Sequence, residues 1–255
     1  MEQVSPADPI RGPVAVGPAA VRGAEAFARL VAVMARLRGP GGCPWDAEQD
    51  HTSLAIHLLE ETHEVLDAID RGDLVELREE LGDLLLQIVF HAQMAAEVGA
   101  FEIGDVVEDL TAKLIHRHPH VFGSVSVSGA GEVVANWEAL KHEQKQRASL
   151  GEGIPTRLPA LLYAHKVLRR LSGAGLGPEV PEGRLASLLA AAAAAKPGPE
   201  TRAETDMLFG EVLYGISALA LRAGVDPEGA LRRVATRNLS AADAARAAGG
   251  PDPEP

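Results

Sequence analysis

Cysteine is almost missing from this chain: Cys43 stands alone in 255 residues. A disulfide framework and a four-cysteine metal site are thereby excluded, and a reducing compartment is the simpler setting. Positive charge is also short, with 24 lysines and arginines against 36 acidic residues and a formal net charge of −12. That balance speaks against a nucleic-acid polymer as partner, because general duplex binding needs a basic surface to neutralise phosphates. Long apolar runs are lacking too. The longest wholly uncharged one, Leu185–Ala195, falls well below the roughly 20 residues that span a bilayer, so it reads as a soluble helix and no membrane partner is expected. The N-terminus carries acidic residues and prolines where a signal peptide needs a basic start and an apolar core. A cytoplasmic location is therefore expected. No segment alternates polar and apolar residues as a strand would, and the expected fold is all-α.

What the chain does hold is acid in a particular pattern. Glu60-Glu61-Thr62-His63-Glu64 and Glu80-Leu81-Gly82-Asp83 lie on two consecutive predicted helices. Residues three or four apart share a helix face, so Glu61 with Glu64, and Glu80 with Asp83, each point a carboxylate pair one way. Asp70-Arg71-Gly72-Asp73 supplies a short turn, and a short connection makes the helices antiparallel neighbours with the pairs facing each other. Leucines, isoleucines and a valine flank both clusters. Carboxylates converging on an apolar face raise one another's pKa unless a cation neutralises them. A lone ExxE is most simply a solvated acidic face; two such pairs on the arms of a hairpin suit a hard cation such as magnesium, which takes oxygen ligands and shares them with substrate phosphates.

Around that hairpin the expected organisation is as follows. Residues 1–23, rich in Pro, Gly, Ala and Val, and the tail 249–255 read as disordered. Phe27, Leu30, Val31, Met34 and Leu37 recur at helical steps, and Gly39-Pro40-Gly41-Gly42 ends that helix. Cys43–His51 reads as a polar loop, with Thr52 or Ser53 as the cap of the next helix. A helix from Ile103 or Asp105 to His118 is stopped by Pro119, and another spans about Glu132–Ser149. A domain over 24–150 is followed by a linker at 151–159 and a second helical domain over 160–248. Within the latter, Phe209–Ile216 faintly repeats Leu81–Ile88, with Leu208 where Glu80 would stand. The preceding apolar run, Leu185–Ala195, has no carboxylate, so the second half reads as a duplicated unit stripped of its acids.

Other constellations are weaker. Glu60-x-x-His63 has the spacing of di-iron bundles, but the second motif they need is missing, since Asp83 occupies the matching position. Trp45 and Trp137 are each either core aromatics or surfaces for a nucleobase. Lys113, Arg117, His118, His120, Lys141 and Lys145 are ordinary surface charge unless they border the acidic site, where they would suit a polyphosphate.

Taken in order, these motifs resemble the MazG-type nucleoside triphosphate pyrophosphohydrolases. That family's EExxE and ExxD stand here as Glu60-Glu61-x-x-Glu64 and Glu80-x-x-Asp83. Cys43-Pro44-Trp45-Asp46 with Gln49, Gly82-Asp83-Leu84-Leu85, Arg117–Phe122, and Trp137-Glu138 with Lys141 are also similar. The resemblance, over about Leu30–Lys145, implies a helical-bundle unit, often found in tandem, here with a degenerate second copy. It implies that Glu61, Glu64, Glu80 and Asp83 bind magnesium, with manganese as a substitute, and that Glu60 orients or activates water. Lys113, Arg117, Trp137 and Lys141 would contact phosphate or base. The implied reaction turns a nucleoside triphosphate into monophosphate and pyrophosphate, in a homodimer that cleanses the nucleotide pool. The alternative, a nucleotide-binding or interaction module whose catalysis has lapsed, would be marked by loss of a site carboxylate, and all five are present.

Overall fold

Several helix starts in this chain are set by prolines or aspartate caps. Pro18, whose ring holds φ near the helical value, occupies the first turn of α1 (Pro18–Arg38). The computed structural model describes residues 17–133, 136–137, 140, 149–177, 182–196, 198 and 200–248. Helix therefore begins inside the segment expected to be disordered, because Ala19 and Ala20 behind Pro18 favour helix although they show no amphipathic period. The chain divides into two compact units, Met1–Lys145 and Gln146–Pro255. Among the described residues there is no strand, and no single helix is long and apolar enough to cross a membrane.

In the first unit α1 turns sharply into α2 (Pro44–Glu48). The Cys43 N–H donates to the Leu37 carbonyl at 2.7 Å. A Cβ on Gly42 would lie 2.0 Å from that same oxygen, so only glycine fits there. The expected loop after Cys43 thus contains one short helix, started by Pro44 and too brief to show a period. Neither Thr52 nor Ser53 caps α3 (Ala55–Arg71), whose N-cap position is Leu54. Instead Asp50 Oδ1 accepts the N–H groups of Thr52 and Ser53, each at 2.7 Å, and a turn intervenes.

Gly72, at φ 68°, ends α3, and the Asp73 carboxylate accepts the N–H groups of Val75 and Glu76 to cap α4 (Leu74–Glu97). Arg71 pairs with Glu76 across this turn. A reciprocal capping box between Glu102 and Asp105 starts α5 (Ile103–Arg117). Pro119 stops that helix and opens the one-turn α6 (Pro119–Phe122). Helix resumes at residues 130–133 and 136–137; most of the helix expected over 132–149 lies outside the described residues. Helix α4 packs against α1, α3 and α5, and Met34, Leu54, Val89, Phe90 and Met94 form the buried core.

The second unit opens with a stretch expected to be a linker but packed in place. Ile154 is buried, and Arg170 Nη1 donates to the carbonyls of Leu150 (2.7 Å) and Glu152 (2.6 Å). Beyond it lie α7 (Ala160–Gly173), α8 (Glu182–Ala194), α9 (Arg202–Arg222) and α10 (Pro227–Ala247). Helix α9 is the centre, packed against the other three, with Leu168, Leu185, Val212 and Ala218 buried.

Candidate metal centre

The two-residue connection at Gly72-Asp73 folds α3 and α4 into a packed hairpin, and the hairpin brings acids together. One carboxylate oxygen from each of Glu61, Glu64 and Glu80 lies within 4.8 Å of the others. Among the described residues this is the one group of three or more His, Cys, Asp or Glu side chains so disposed. Glu61 and Glu80 are half-buried and Glu64 is exposed. Burial, then the charges of Asp83, Glu64 and Glu80, pushes the Glu61 carboxyl above its ordinary pKa. Partial burial, then Glu64 and Asp83, does the same to Glu80. Asp83 is thus an electrostatic neighbour of both, although it stands outside the tight trio.

No basic side chain figures among the causes that act on Glu61 or Glu80. An all-oxygen, acid-only donor set, in which Glu61 and Glu80 hold their protons more tightly than usual, is one that a hard divalent cation fits: it would supply the missing positive charge.

The remaining predicted residues are arranged differently. Glu60 is not part of the trio and meets His57, Nδ1 to Oε2 at 3.1 Å. Lys113 is exposed on α5. The Arg117 guanidinium lies 5.4 Å from the Trp137 ring centre, which His118 approaches edge-on at 4.9 Å. Lys141 and Lys145 fall outside the described residues.

Two features near the hairpin were missed from sequence. His57, one turn before Glu61, holds Glu60 and also meets the Trp45 ring edge-on at 6.4 Å; its i, i+3 spacing from Glu60 was the available signal. Arg38 carries no such signal in the sequence. Its buried side chain makes a bidentate pair with Glu97, both contacts 2.7 Å. It also donates to the carbonyls of Asp46 (2.5 Å) and Gln49 (3.1 Å), so it fixes the turn that carries Trp45.

Comparison with known proteins gives the chain its relatives. A model of the MazG nucleotide pyrophosphohydrolase domain matches residues 49–122, which contain all five acids. The nucleoside triphosphate pyrophosphohydrolase of Escherichia coli (strain K12) is 49% identical over 161 residues, 60% of this chain and 61% of that protein. The nucleoside triphosphate pyrophosphohydrolase/pyrophosphatase MazG of Thermotoga maritima is 42% identical over 216 residues, 84% of this chain and 82% of that protein. A nucleoside triphosphate pyrophosphohydrolase of Mycobacterium tuberculosis is 46% identical over 154 residues, 60% of this chain and 46% of that protein. The chain therefore spans less than two thirds of the Escherichia coli and Mycobacterium tuberculosis relatives and most of the Thermotoga one.

Proposed function

We propose that this chain, which belongs to the MazG nucleotide pyrophosphohydrolase family, hydrolyses a nucleoside triphosphate to the monophosphate and pyrophosphate. The observation that carries the reading is the carboxylate trio on the α3–α4 hairpin, in which Glu61 and Glu80 are half-buried and hold their protons more tightly than an ordinary carboxyl does. Glu61, Glu64 and Glu80, with Asp83 beside them, hold magnesium, for which manganese can substitute. Such a cation, when bound, supplies positive charge to phosphate oxygens and eases the deprotonation of water. Glu60, outside the trio and in contact with His57, orients or activates the attacking water. Arg117, stacked on Trp137, and Lys113 and Lys141 contact the phosphates or base and neutralise developing charge.

The physiological unit is a homodimer in the cytoplasm. Leu59 and Leu66 on α3, and Leu81 and Ile88 on α4, are exposed at seven-residue steps. Exposed apolar side chains at that spacing suit a surface for a second copy. Light scattering at the mass of one chain would refute the dimer. The reaction itself is tested by incubating the protein with magnesium and each nucleoside triphosphate in turn, and reading products by phosphorus NMR. Pyrophosphate with the monophosphate is expected, whereas diphosphate with orthophosphate, or no turnover of any triphosphate, would overturn the assignment.

A further inference from the structure

Trp45 is an exposed aromatic on α2, just ahead of the acidic hairpin, and its setting is unusual. Its backbone is fixed from several sides. The Arg38 guanidinium holds the carbonyls of Asp46 and Gln49, and the Gln49 side-chain amide donates to the carbonyl of Trp45 itself at 3.0 Å. Arg38 is in turn pinned by Glu97 and lies over the Phe90 ring at 5.3 Å. Yet the residue so firmly carried is 54% exposed. An indole left in water on an ordered turn gives up the stabilisation that burial would bring.

Its partner within the unit shows which way it lies. The His57 ring meets Trp45 at an interplanar angle of 64°, and His57, Glu61 and Glu64 follow one another at helical steps on one face of α3. His57 and Glu61 are separated by about 6 Å along the helix axis, so the side chain that touches Trp45 and the carboxylates are neighbours along α3. From these observations we propose that Trp45, edged by His57, is the platform on which the nucleobase of the substrate stacks while its phosphates lie at the carboxylates. The inference rests on the nucleotide reading above and deepens it, by naming a binding residue for the base. Stacking on an indole accepts every base, because each has a π-face. Discrimination among bases then falls to polar groups around the platform, His57 among them.

The test measures binding, so that it does not depend on which bond is cleaved. Full-length protein with magnesium is titrated calorimetrically with α,β:β,γ-bismethylene nucleoside triphosphates, one for each base, and with tripolyphosphate blocked by methylene bridges in the same way, which has no base. Replacing Trp45 by alanine should weaken nucleotide binding by about ten- to a hundredfold and leave tripolyphosphate within about threefold of the unaltered protein. Trp45→Phe should restore most of the nucleotide affinity. Equal weakening of tripolyphosphate would show that Trp45 serves only to support the turn, and would overturn the proposal. So would unchanged nucleotide affinity in Trp45→Ala, or a Trp45→Phe variant as weak as alanine. If the unaltered protein releases orthophosphate in the product assay but the titrations behave as expected, the reaction assignment fails and the platform stands. If it binds no nucleotide, both fail.

Discussion

At the scale of single residues, the groups whose ionisation the fold disturbs are the ones that give it a pH response. His51 and His91 stack with their Nδ1 atoms 2.8 Å apart, so one nitrogen must donate and the other accept. His91 Nε2 is buried without a partner, and burial, then His51, lowers the His91 pKa. A depressed histidine pKa means that the unfolded chain binds the proton more tightly. The contribution is complete above the unfolded value of about 6.5 and is lost as pH falls through it towards the folded value. Urea unfolding at several pH values should therefore show stability declining below about pH 6.5, and His91→Phe should decline less. An identical pH profile for the two proteins would refute this.

Glu61 behaves in the opposite sense. Its raised pKa means that the folded state binds the proton more tightly, so stability is highest below the unfolded value of about 4.3 and falls as pH climbs through the folded one. Without divalent cation the ionised trio is then a liability at neutral pH. Glu61→Gln should match or exceed the unaltered protein's melting temperature in EDTA. The unaltered protein should gain about 2.7 kcal/mol on magnesium at a hundred times its dissociation constant, and the variant should gain far less. Equal gains from magnesium would show that Glu61 is not a ligand.

At the scale of elements, the hairpin that carries the site was readable because each of its signals is local. Gly72 supplies a left-handed residue, Asp73 a cap, and the acids a spacing of three, all visible in one dimension. Helix α2 and the start of α1 were not readable, since five residues or two alanines carry no period. The pairs that join different elements, Arg38 with Glu97 and His51 with His91, were invisible for another reason: periodicity tells which face a residue occupies and never what stands opposite. Gly72 offers a clean measure of the local part. Nothing lies within 4 Å of a Cβ added there, so the penalty for alanine is the backbone conformation alone, at φ +68°. Gly72→Ala should cost about 1–2 kcal/mol in urea unfolding and leave the magnesium-induced gain intact. A variant that lost the gain would show that the turn sets the separation of the carboxylates more finely than the cap alone requires.

At the scale of the molecule, the question is what the second unit contributes. Its α8 and α9 pack together as α3 and α4 do, and the faint repeat places Glu211 of α9 where Asp83 stands in α4. The chemistry has changed, however. Leu208 replaces Glu80, and the α8 residues from Leu185 to Ala194 include no carboxylate. Among the described residues no acid trio forms there. The surviving carboxylate has an internal cation instead, Arg184 Nη2 at 3.5 Å from Glu211 Oε2. A single carboxylate already paired with an arginine leaves a magnesium ion little to bind, whereas the apolar positions Val212 and Ala218 remain buried as packing requires. The second unit is accordingly proposed to be a structural copy. Replacing Glu211 by alanine removes only an exposed ion pair, worth within about 1 kcal/mol, and should leave both kcat and the magnesium dependence of the full chain unchanged. Asp83→Ala should abolish turnover while keeping its far-ultraviolet dichroism. Should Glu211→Ala lose turnover as completely as Asp83→Ala does, the second unit would have to supply a working carboxylate, and a single acidic site in the first unit would no longer account for the activity.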